Sequence, residues 1–317
     1  MLPPSDSAGR PQGSSGWFFW GILCTALAVA GPFVVTRLWL EKFAFCGLLA
    51  TAAWLAYLAQ KGTGLGTLLA QSGRAGMPFW RAVDLVFALP VAWFPLAADY
   101  NRFAESGRRA LWGTAFGTVA GTVACLGLGG LLLISGGVLG DPLGRVLFLA
   151  GTGVTLLLIL VGETDQIFAQ VYSSALATQN LFPRLRQRWM AAGLGIVCTG
   201  LAVTTPVTRY EAYLAIMGSV FVPLTSVVLA DYFCVARRGY DVEELFRRHG
   251  RYWFAGGFRW QGFVAWGLGI ATYGAMFQWA PTLSASLPAI AAAFGAYVLL
   301  TIGARGAIER GGERGLT

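Results

Sequence analysis

The sequence predicts an all-α, polytopic membrane protein with about nine transmembrane helices. Hydrophobic residues make up 56% of its 317 residues and charged residues only 12%, about half the charged fraction of a typical soluble domain. Long apolar runs recur from residue 17 onward, and their lengths are near the roughly 17 to 25 residues that a membrane-spanning helix needs. No stretch between them is long enough to fold as a separate soluble domain.

The apolar runs divide the chain into one membrane domain, residues 17–304, between two terminal tails. Residues 1–16 are rich in Pro, Ser and Gly, which predicts a disordered N-terminal tail, and residues 305–317 form a C-terminal tail. The predicted spans are residues 17–35, 43–59, 83–103, 111–134, 146–172, 190–205, 212–235, 263–279 and 287–302.

The distribution of Lys and Arg supports this count of spans. An alternating topology places 17 of the 23 Lys and Arg residues in connections on one side of the membrane. The positive-inside rule assigns that side to the cytoplasm. We therefore expect a multi-pass protein of the cell (inner) membrane with a cytoplasmic C-terminus. The same count places the N-terminus outside, unless an odd number of helices precedes residue 1.

Several functional classes are not indicated. The net charge of +8 comes from basic residues in short connections without interleaved aromatics, so no nucleic-acid partner is expected. The five cysteines lack metal-ligand spacing, and the single histidine lies in a polar loop. We expect no metal site, no cofactor and no catalytic residue, so an enzyme is not indicated.

The run 146–172 begins apolar and then becomes polar without ending. At a helical angle of about 100° per residue, Glu163, Gln166 and Gln170 fall on one stripe, and Asp165 lies nearly opposite Glu163. Carboxylates and amides inside a membrane helix are costly, so they mark an ion or substrate path. The alternative is that this polar part emerges at the membrane surface, where its side chains need no partner.

The run 83–103 contains Pro90 and Pro95. Each proline removes a backbone donor and clashes with the preceding turn, so the pattern predicts a discontinuous helix of the kind that carries binding sites in transporters. A kinked structural helix is the alternative. Trp93 lies between the prolines, where its ring can stack on a planar ligand or pack against other side chains.

Three groups of motifs resemble one known family, the nucleobase:cation symporter-1 family or purine–cytosine permease group. The first is Trp-Phe-Pro-Leu-Ala-Ala-Asp-Tyr-Asn-Arg-Phe at residues 93–103. The other matching segments are residues 218–224, 229–233, 237–242, 252–254, 257–260 and 265–269. Residues 163–166 and 172–174 most resemble the hydroxymethylpyrimidine permease branch.

The resemblance implies a fold of twelve helices in which the first ten form two inverted repeats of five. Laid on that pattern, the chain lacks the first three helices. Residues 17–60 would be the remainder of the first repeat, 82–236 the complete second repeat and 260–304 the last two helices. The implied activity is cation-coupled uptake of a pyrimidine-like base, such as hydroxymethylpyrimidine or cytosine, with Na⁺ or H⁺ as the coupling ion.

The resemblance also implies three cation ligands. They fall at the backbone carbonyl of Val161 and at the side chains of Thr164 and Asp165. Thr164 fits the hydroxyl pattern of the family, whereas Asp165 departs from it. A carboxylate at this position can strengthen Na⁺ binding or carry a proton, so the coupling ion stays open.

The implied substrate contacts lie on the polar stripe and on the broken helix. The amide contact of the family falls at Gln170, with Gln166 and Glu163 on the same stripe, and an amide suits a pyrimidine edge because it offers a donor and an acceptor. The stacking aromatic of the family falls at Pro90 here, so Trp93, one turn later, is the expected substitute.

The absent helices would supply the other half of such a site. The sequence therefore predicts a truncated secondary transporter in the lipid bilayer. The alternative is a non-transporting remnant, or a membrane subunit that depends on a partner to supply the missing helices.

Overall fold

The predicted all-α class is confirmed, because every regular element in the described part of the chain is helical. The structure is a computed structural model. It describes residues 21–26, 46–57 without 48, 66, 70, 76–101, 104–135, 167, 170–171, 173–179, 182–204 and 210–314 without 238, 246 and 248.

Eight α-helices can be delimited in these residues. They are α1 (Phe79–Ala92), α2 (Phe94–Asn101), α3 (Gly107–Ser135), α4 (Gln187–Thr204), α5 (Tyr210–Ala230), α6 (Val242–Leu245), α7 (Trp260–Trp279) and α8 (Ser286–Arg314). A π-helical segment, Asp231–Val235, directly continues α5, and a short 3₁₀ turn, Ala255–Gly257, precedes α7.

Four segments of the described chain are long and apolar enough to cross a membrane. They are Phe79–Ala97, Gly107–Leu131, Glu211–Val235 and Ser286–Gly303.

Each of these four segments overlaps a predicted span. The helices α4 and α7 overlap two further predicted spans, residues 190–205 and 263–279. α8 continues to Arg314, into the stretch predicted as a tail. The predicted tail 1–16 and most of the run 146–172 lie outside the described residues.

The chain forms two compact units. The first comprises Met1–Gly73 and Asp99–Val207, and the second comprises Arg74–Ala98 and Thr208–Thr317. The boundary at Ala98 falls inside α2, so the second unit contains α1, the start of α2, and α5 to α8.

In the first unit, the helical residues 21–26 pack closely against α4. A Cβ atom on Gly21 would collide with Thr199, and one on Gly195 would collide with Thr25. The Thr25 and Thr199 hydroxyls each donate to the carbonyl of the glycine four residues earlier, at 2.7 Å. Small residues that let two backbones approach in this way are a common basis of helix association in membranes.

In the second unit, α5, α7 and α8 meet through small residues and a few polar contacts. The indole of Trp266 donates to the Val220 carbonyl at 2.9 Å, and the Ser226 hydroxyl donates to the Ile290 carbonyl at 2.9 Å. The buried residues of their shared core are Val227, Ala230, Ala265, Ala293 and Tyr297. Since lipid is as apolar as these side chains, close packing and interhelical hydrogen bonds hold the helices together.

The closest contact among α5, α7 and α8 is at Gly269 of α7. A Cβ atom there would lie 2.5 Å from Cβ of Pro223 and 2.9 Å from Cβ of Ala293. Both neighbours are small, rigid groups on adjacent helices, so neither can rotate away. The glycine is required for α7 to approach α5 and α8 at this depth.

We expect Gly269→Ala to lower the free energy of unfolding by about 2 kcal/mol, because overpacking a close helix contact forces backbone shifts. Gly267→Ala is the matched control, since a Cβ atom there meets nothing within 4 Å and alanine favours the helix. Thermal unfolding of the purified variants measures both effects. Equal melting temperatures for the two variants would contradict the packing assigned to Gly269.

Candidate functional site

The structure places two of the seven predicted site residues, Gln170 and Trp93. The other five lie outside the described residues: Val161, Glu163, Thr164, Asp165 and Gln166. Their predicted roles in binding a cation or a substrate therefore stay predictions.

Gln170 lies on a helical part of the first unit with its side chain exposed. The next residue, Val171, is buried and packs with Ala175 against Met190 and Ala191 of α4. These contacts define the packed face of the segment, and Gln170 does not belong to it.

The helix that contains Pro90 and Pro95 is interrupted at a single residue, Trp93, whose backbone keeps right-handed helical angles (φ −83°, ψ −8°), so this run is a kinked helix, the alternative to a discontinuous one. α1 ends at Ala92, and the N–H of Trp93 donates to the carbonyl of Pro90, three residues earlier, at 3.2 Å. The carbonyl of Trp93 then accepts from Leu96 at 3.0 Å as α2 begins. The Trp93 side chain is 36% exposed, so a substantial part of the indole is accessible.

The prolines change the backbone hydrogen bonding on the N-terminal side of Trp93. Pro90 and Pro95 carry no N–H, so the carbonyl oxygens of Val86 and Val91 lack the donor that an α-helix supplies four residues later. The Val91 carbonyl accepts from the Trp93 N–H instead.

The start of α1 carries a buried carboxylate that was not among the predicted site residues. Asp84 is 1% exposed and accepts three hydrogen bonds from the beginning of α8. The donors are the Ser284 hydroxyl at 2.7 Å, the Ala285 N–H at 2.6 Å and the Ser286 N–H at 3.1 Å. The carboxylate thus caps α8 from a different helix and meets the positive end of its dipole.

A second contact ties the same end of α1 to α5 and α7. The Arg81 guanidinium pairs with Glu211 at 2.8 Å and lies 4.4 Å above the ring of Phe277. Both members of the ion pair are partly exposed, so the pair contributes little stability by itself. Together with Asp84, it fixes the position of α1 within the second unit.

A second carboxylate, Asp231, joins the π-helical segment to three residues outside it, one in α8 and two in connecting segments. It accepts from the Arg259 guanidinium at 2.5 Å, the Tyr297 hydroxyl at 2.6 Å and the Tyr240 hydroxyl at 2.5 Å. Only about a fifth of each side chain of the Asp231–Arg259 pair is exposed. A pair this enclosed is tolerated because hydrogen bonds satisfy the remaining oxygen lone pairs.

The connection between the π-helical segment and α7 is ordered by charge and hydrogen bonding. Partial burial and the bond to Asp231 raise the pKa of the Tyr240 phenol far above its usual value, so it remains a donor at any physiological pH. The Arg251 N–H and the Arg247 side chain hold the pKa of Glu244 below its usual value. The described residues of this connection are therefore held by specific contacts.

Sequence reasoning missed Asp84 and Asp231 as structural anchors, although a signal was present. Each is an isolated carboxylate at an apolar run, the same pattern that singled out Glu163 and Asp165. The capping serines before α8 give a further signal for Asp84. Within the described residues, no group of three or more His, Cys, Asp or Glu side chains could hold a metal ion.

Long apolar helices, a helix kinked at prolines and carboxylates matched with donors between helices define a polytopic α-helical membrane protein. A model of the family described as permease for cytosine/purines, uracil, thiamine, allantoin matches residues 16–300, and the chain belongs to this family. The chain is also similar to the allantoin permease of Bacillus subtilis (strain 168), with 25% identity over 226 residues. That match covers 65% of this chain and 46% of the permease, so the chain spans about half the length of this curated relative.

We expect Asp84→Ala to lower the free energy of unfolding by about 3 kcal/mol, because it leaves the Ala285 and Ser286 N–H groups buried without an acceptor. The control is Asp241→Ala, which removes an exposed carboxylate that accepts from Glu243 and Glu244 at the start of α6. Loss of this exposed cap costs about 1 kcal/mol. Denaturant unfolding in mixed micelles compares the two, and equal losses would rule out the buried cap.

Proposed function

We propose that this chain forms part of a secondary active transporter that moves a pyrimidine-like base across the cell (inner) membrane. The family match over residues 16–300 carries this proposal. The compounds in the family's description, cytosine, purines, uracil, thiamine and allantoin, are small heterocycles with hydrogen-bonding edges. The resemblance of residues 163–166 and 172–174 favours hydroxymethylpyrimidine as the substrate, and the wider family resemblance favours cytosine.

The geometry at Trp93 supports a planar substrate. An indole with 36% of its surface exposed offers an apolar face on which a flat ring can stack.

The exposed amide of Gln170 supports a pyrimidine edge in particular. A primary amide presents a donor and an acceptor side by side, which matches the adjacent ring nitrogen and carbonyl of a pyrimidine such as cytosine. Gln166 and Glu163 share its stripe as further substrate contacts. Val161, Thr164 and Asp165 are the proposed ligands of the coupling cation, Na⁺ or H⁺.

We further propose that the complete transport site includes helices beyond this chain. The chain spans about half of the curated relative that it matches, and the resemblance assigns part of the site to helices before residue 17. A longer form of the protein or a partner polypeptide could supply them. The C-terminus is proposed to face the cytoplasm, as the distribution of Arg and Lys indicates.

The test of this proposal starts with the native membrane. Immunodetection through the C-terminal segment gives the mass of the protein there, and cross-linking shows whether a second polypeptide accompanies it. That native form is then assayed for uptake of cytosine, hydroxymethylpyrimidine and allantoin under imposed Na⁺ or H⁺ gradients. Uptake that collapses with one gradient supports symport. A native form without substrate-dependent uptake would favour the non-transporting alternative.

We expect Gln170→Ala to raise the KM for uptake about tenfold in the native form, because the substrate loses its amide partner while its polar edge stays desolvated. Gln179→Ala is the control in the same helical segment, since its amide bonds to the Leu185 carbonyl. Expression levels should match for both variants. An unchanged KM for Gln170→Ala would remove this residue from the site.

We expect Asp165→Asn to change the ion dependence of uptake, because the substitution removes one negative charge and one titratable group from the proposed cation site. If Na⁺ is the coupling ion, the Na⁺ concentration for half-maximal uptake rises. If H⁺ is the coupling ion, the pH dependence of uptake flattens. Initial rates across a range of Na⁺ and pH distinguish these results, and identical profiles would exclude Asp165 from coupling.

A further inference from the structure

Exposed apolar side chains mark where α7 begins to cross the membrane. Trp260, Val264 and Leu268 follow one another at intervals of four residues, so they share one face of the helix, and all three are exposed. In a membrane protein such an apolar stripe faces lipid. Phe258 and Phe263 are also exposed and contact the Trp260 ring, at centroid distances of 5.8 and 6.0 Å. The stripe therefore begins with three aromatic rings, the side chains that collect at a membrane–water interface.

The end of α5 carries a similar pattern. Leu229 and, four residues later, Phe233 of the π-helical segment are exposed, so an aromatic side chain again ends a lipid-facing stripe. The Asp231 carboxylate pairs with the Arg259 guanidinium, which places the end of α5 beside the start of α7. Residues 236–259, the connection between the two helices, therefore begin and end at the same surface of the membrane.

The connection 236–259 is basic. Its sequence contains six arginines and three acidic residues. In the proposed orientation it lies on the cytoplasmic side, which holds most of the Lys and Arg residues of the chain. The cytoplasmic leaflet carries anionic headgroups, which attract basic segments next to a membrane-spanning helix. The charge of the connection is therefore complementary to that of the lipid surface at which it begins and ends.

Two of the three acidic side chains in the connection are engaged by groups within it. Glu244 lies within electrostatic range of Arg251, but its two oxygens accept from the Arg247 guanidinium at 3.1 Å and from the Arg251 backbone N–H at 2.9 Å. The Asp241 carboxylate accepts from two backbone N–H groups at the start of α6. These contacts order the connection without neutralising most of its arginines.

Two exposed guanidinium groups of the connection are left for an outside partner. Arg237 and Arg251 are exposed, and neither forms an ion pair within the part of the chain that the structure describes. The Arg251 guanidinium lies 5.9 Å above the ring of Tyr252, and the Tyr252 hydroxyl accepts from the Asp241 N–H at 3.1 Å. Arg251 is therefore held on an anchored aromatic ring, and the next side chain along the chain, Trp253, is exposed.

We propose that the connection 236–259 lies in the headgroup layer and binds anionic phospholipids through Arg237 and Arg251. A guanidinium presents a planar set of N–H donors that matches a phosphate group. The exposed rings of Trp253 and Trp260 occupy the adjoining boundary between headgroups and acyl chains. A soluble anion would use the two arginines but not the exposed aromatic rings, so the combination favours a lipid. This inference takes only the cytoplasmic orientation from the proposed function and does not depend on transport activity.

The test is a titration of phosphatidylglycerol, an anionic lipid, into the purified chain in detergent, with bound lipid counted by native mass spectrometry. Phosphatidylcholine is the zwitterionic comparison and should bind more weakly. Arg237→Gln and Arg251→Gln should each raise the apparent Kd for phosphatidylglycerol about fivefold. Arg109→Gln is the matched control, because it removes the same charge from an exposed arginine that already pairs with Glu105. Equal binding of the two lipids, or equal effects of all three substitutions, would overturn the proposal.

Melting temperatures in lipid nanodiscs separate lipid binding from folding. In discs of phosphatidylcholine alone, Arg237→Gln and Arg251→Gln should melt with the unmodified chain, because neither guanidinium holds an ion pair. In discs that contain phosphatidylglycerol, the unmodified chain should melt higher and each variant should lose part of that increase. Equal losses in both kinds of disc would mean that the arginines stabilise the fold, and the proposal would fail.

A competition distinguishes the lipid from a soluble anion. Inorganic phosphate is added to the complex with phosphatidylglycerol and compared with NaCl at equal ionic strength, because salt alone screens the attraction. Lipid that stays bound equally well in both solutions supports a lipid site. Lipid that phosphate displaces more strongly than NaCl does would identify a site for soluble phosphate and overturn the proposal.

Discussion

The contact on which the second unit depends most is the one between the Asp84 carboxylate and the start of α8. The first N–H groups of any helix lack partners within that helix, and in a membrane there is no bulk water to supply them. A buried carboxylate is equally unfavourable when it stands alone. The carboxylate and the N–H groups therefore satisfy each other, and this contact sets the position of α1 relative to the start of α8.

Asp231 plays the corresponding part further along α8. Its partner Tyr297 lies eleven residues after Ser286, roughly 16 Å along a helix at 1.5 Å per residue. Between these two polar anchors, α8 meets α5 and α7 through small side chains, and Gly269 marks the closest approach. Polar bonds at two levels fix the alignment of the helices, and small residues between them allow close packing. This division of roles suits an environment in which apolar contact alone gives no advantage over lipid.

The fold class could be predicted from the sequence because the thickness of the membrane sets the length of the apolar runs that cross it. The interruption of the helix at Trp93 could be predicted as well, since proline acts through its own covalent structure. The partners of Asp84 and Asp231 could not, because Ser284 is 200 residues from Asp84 and no local periodicity encodes that distance. For the same reason, the sequence showed that Glu163 and Asp165 are unusual without showing what they contact.

The helix that contains Trp93 is held firmly on its N-terminal side. α1 is fixed at its start by Asp84 and Arg81, and Leu85 and Ala88 are buried within the second unit. Pro90 within α1 and Pro95 after it each remove one backbone donor, and Trp93 between them is partly exposed. A firmly anchored helix therefore meets a stretch with fewer backbone hydrogen bonds at Trp93, and we expect any bending of this helix to occur there.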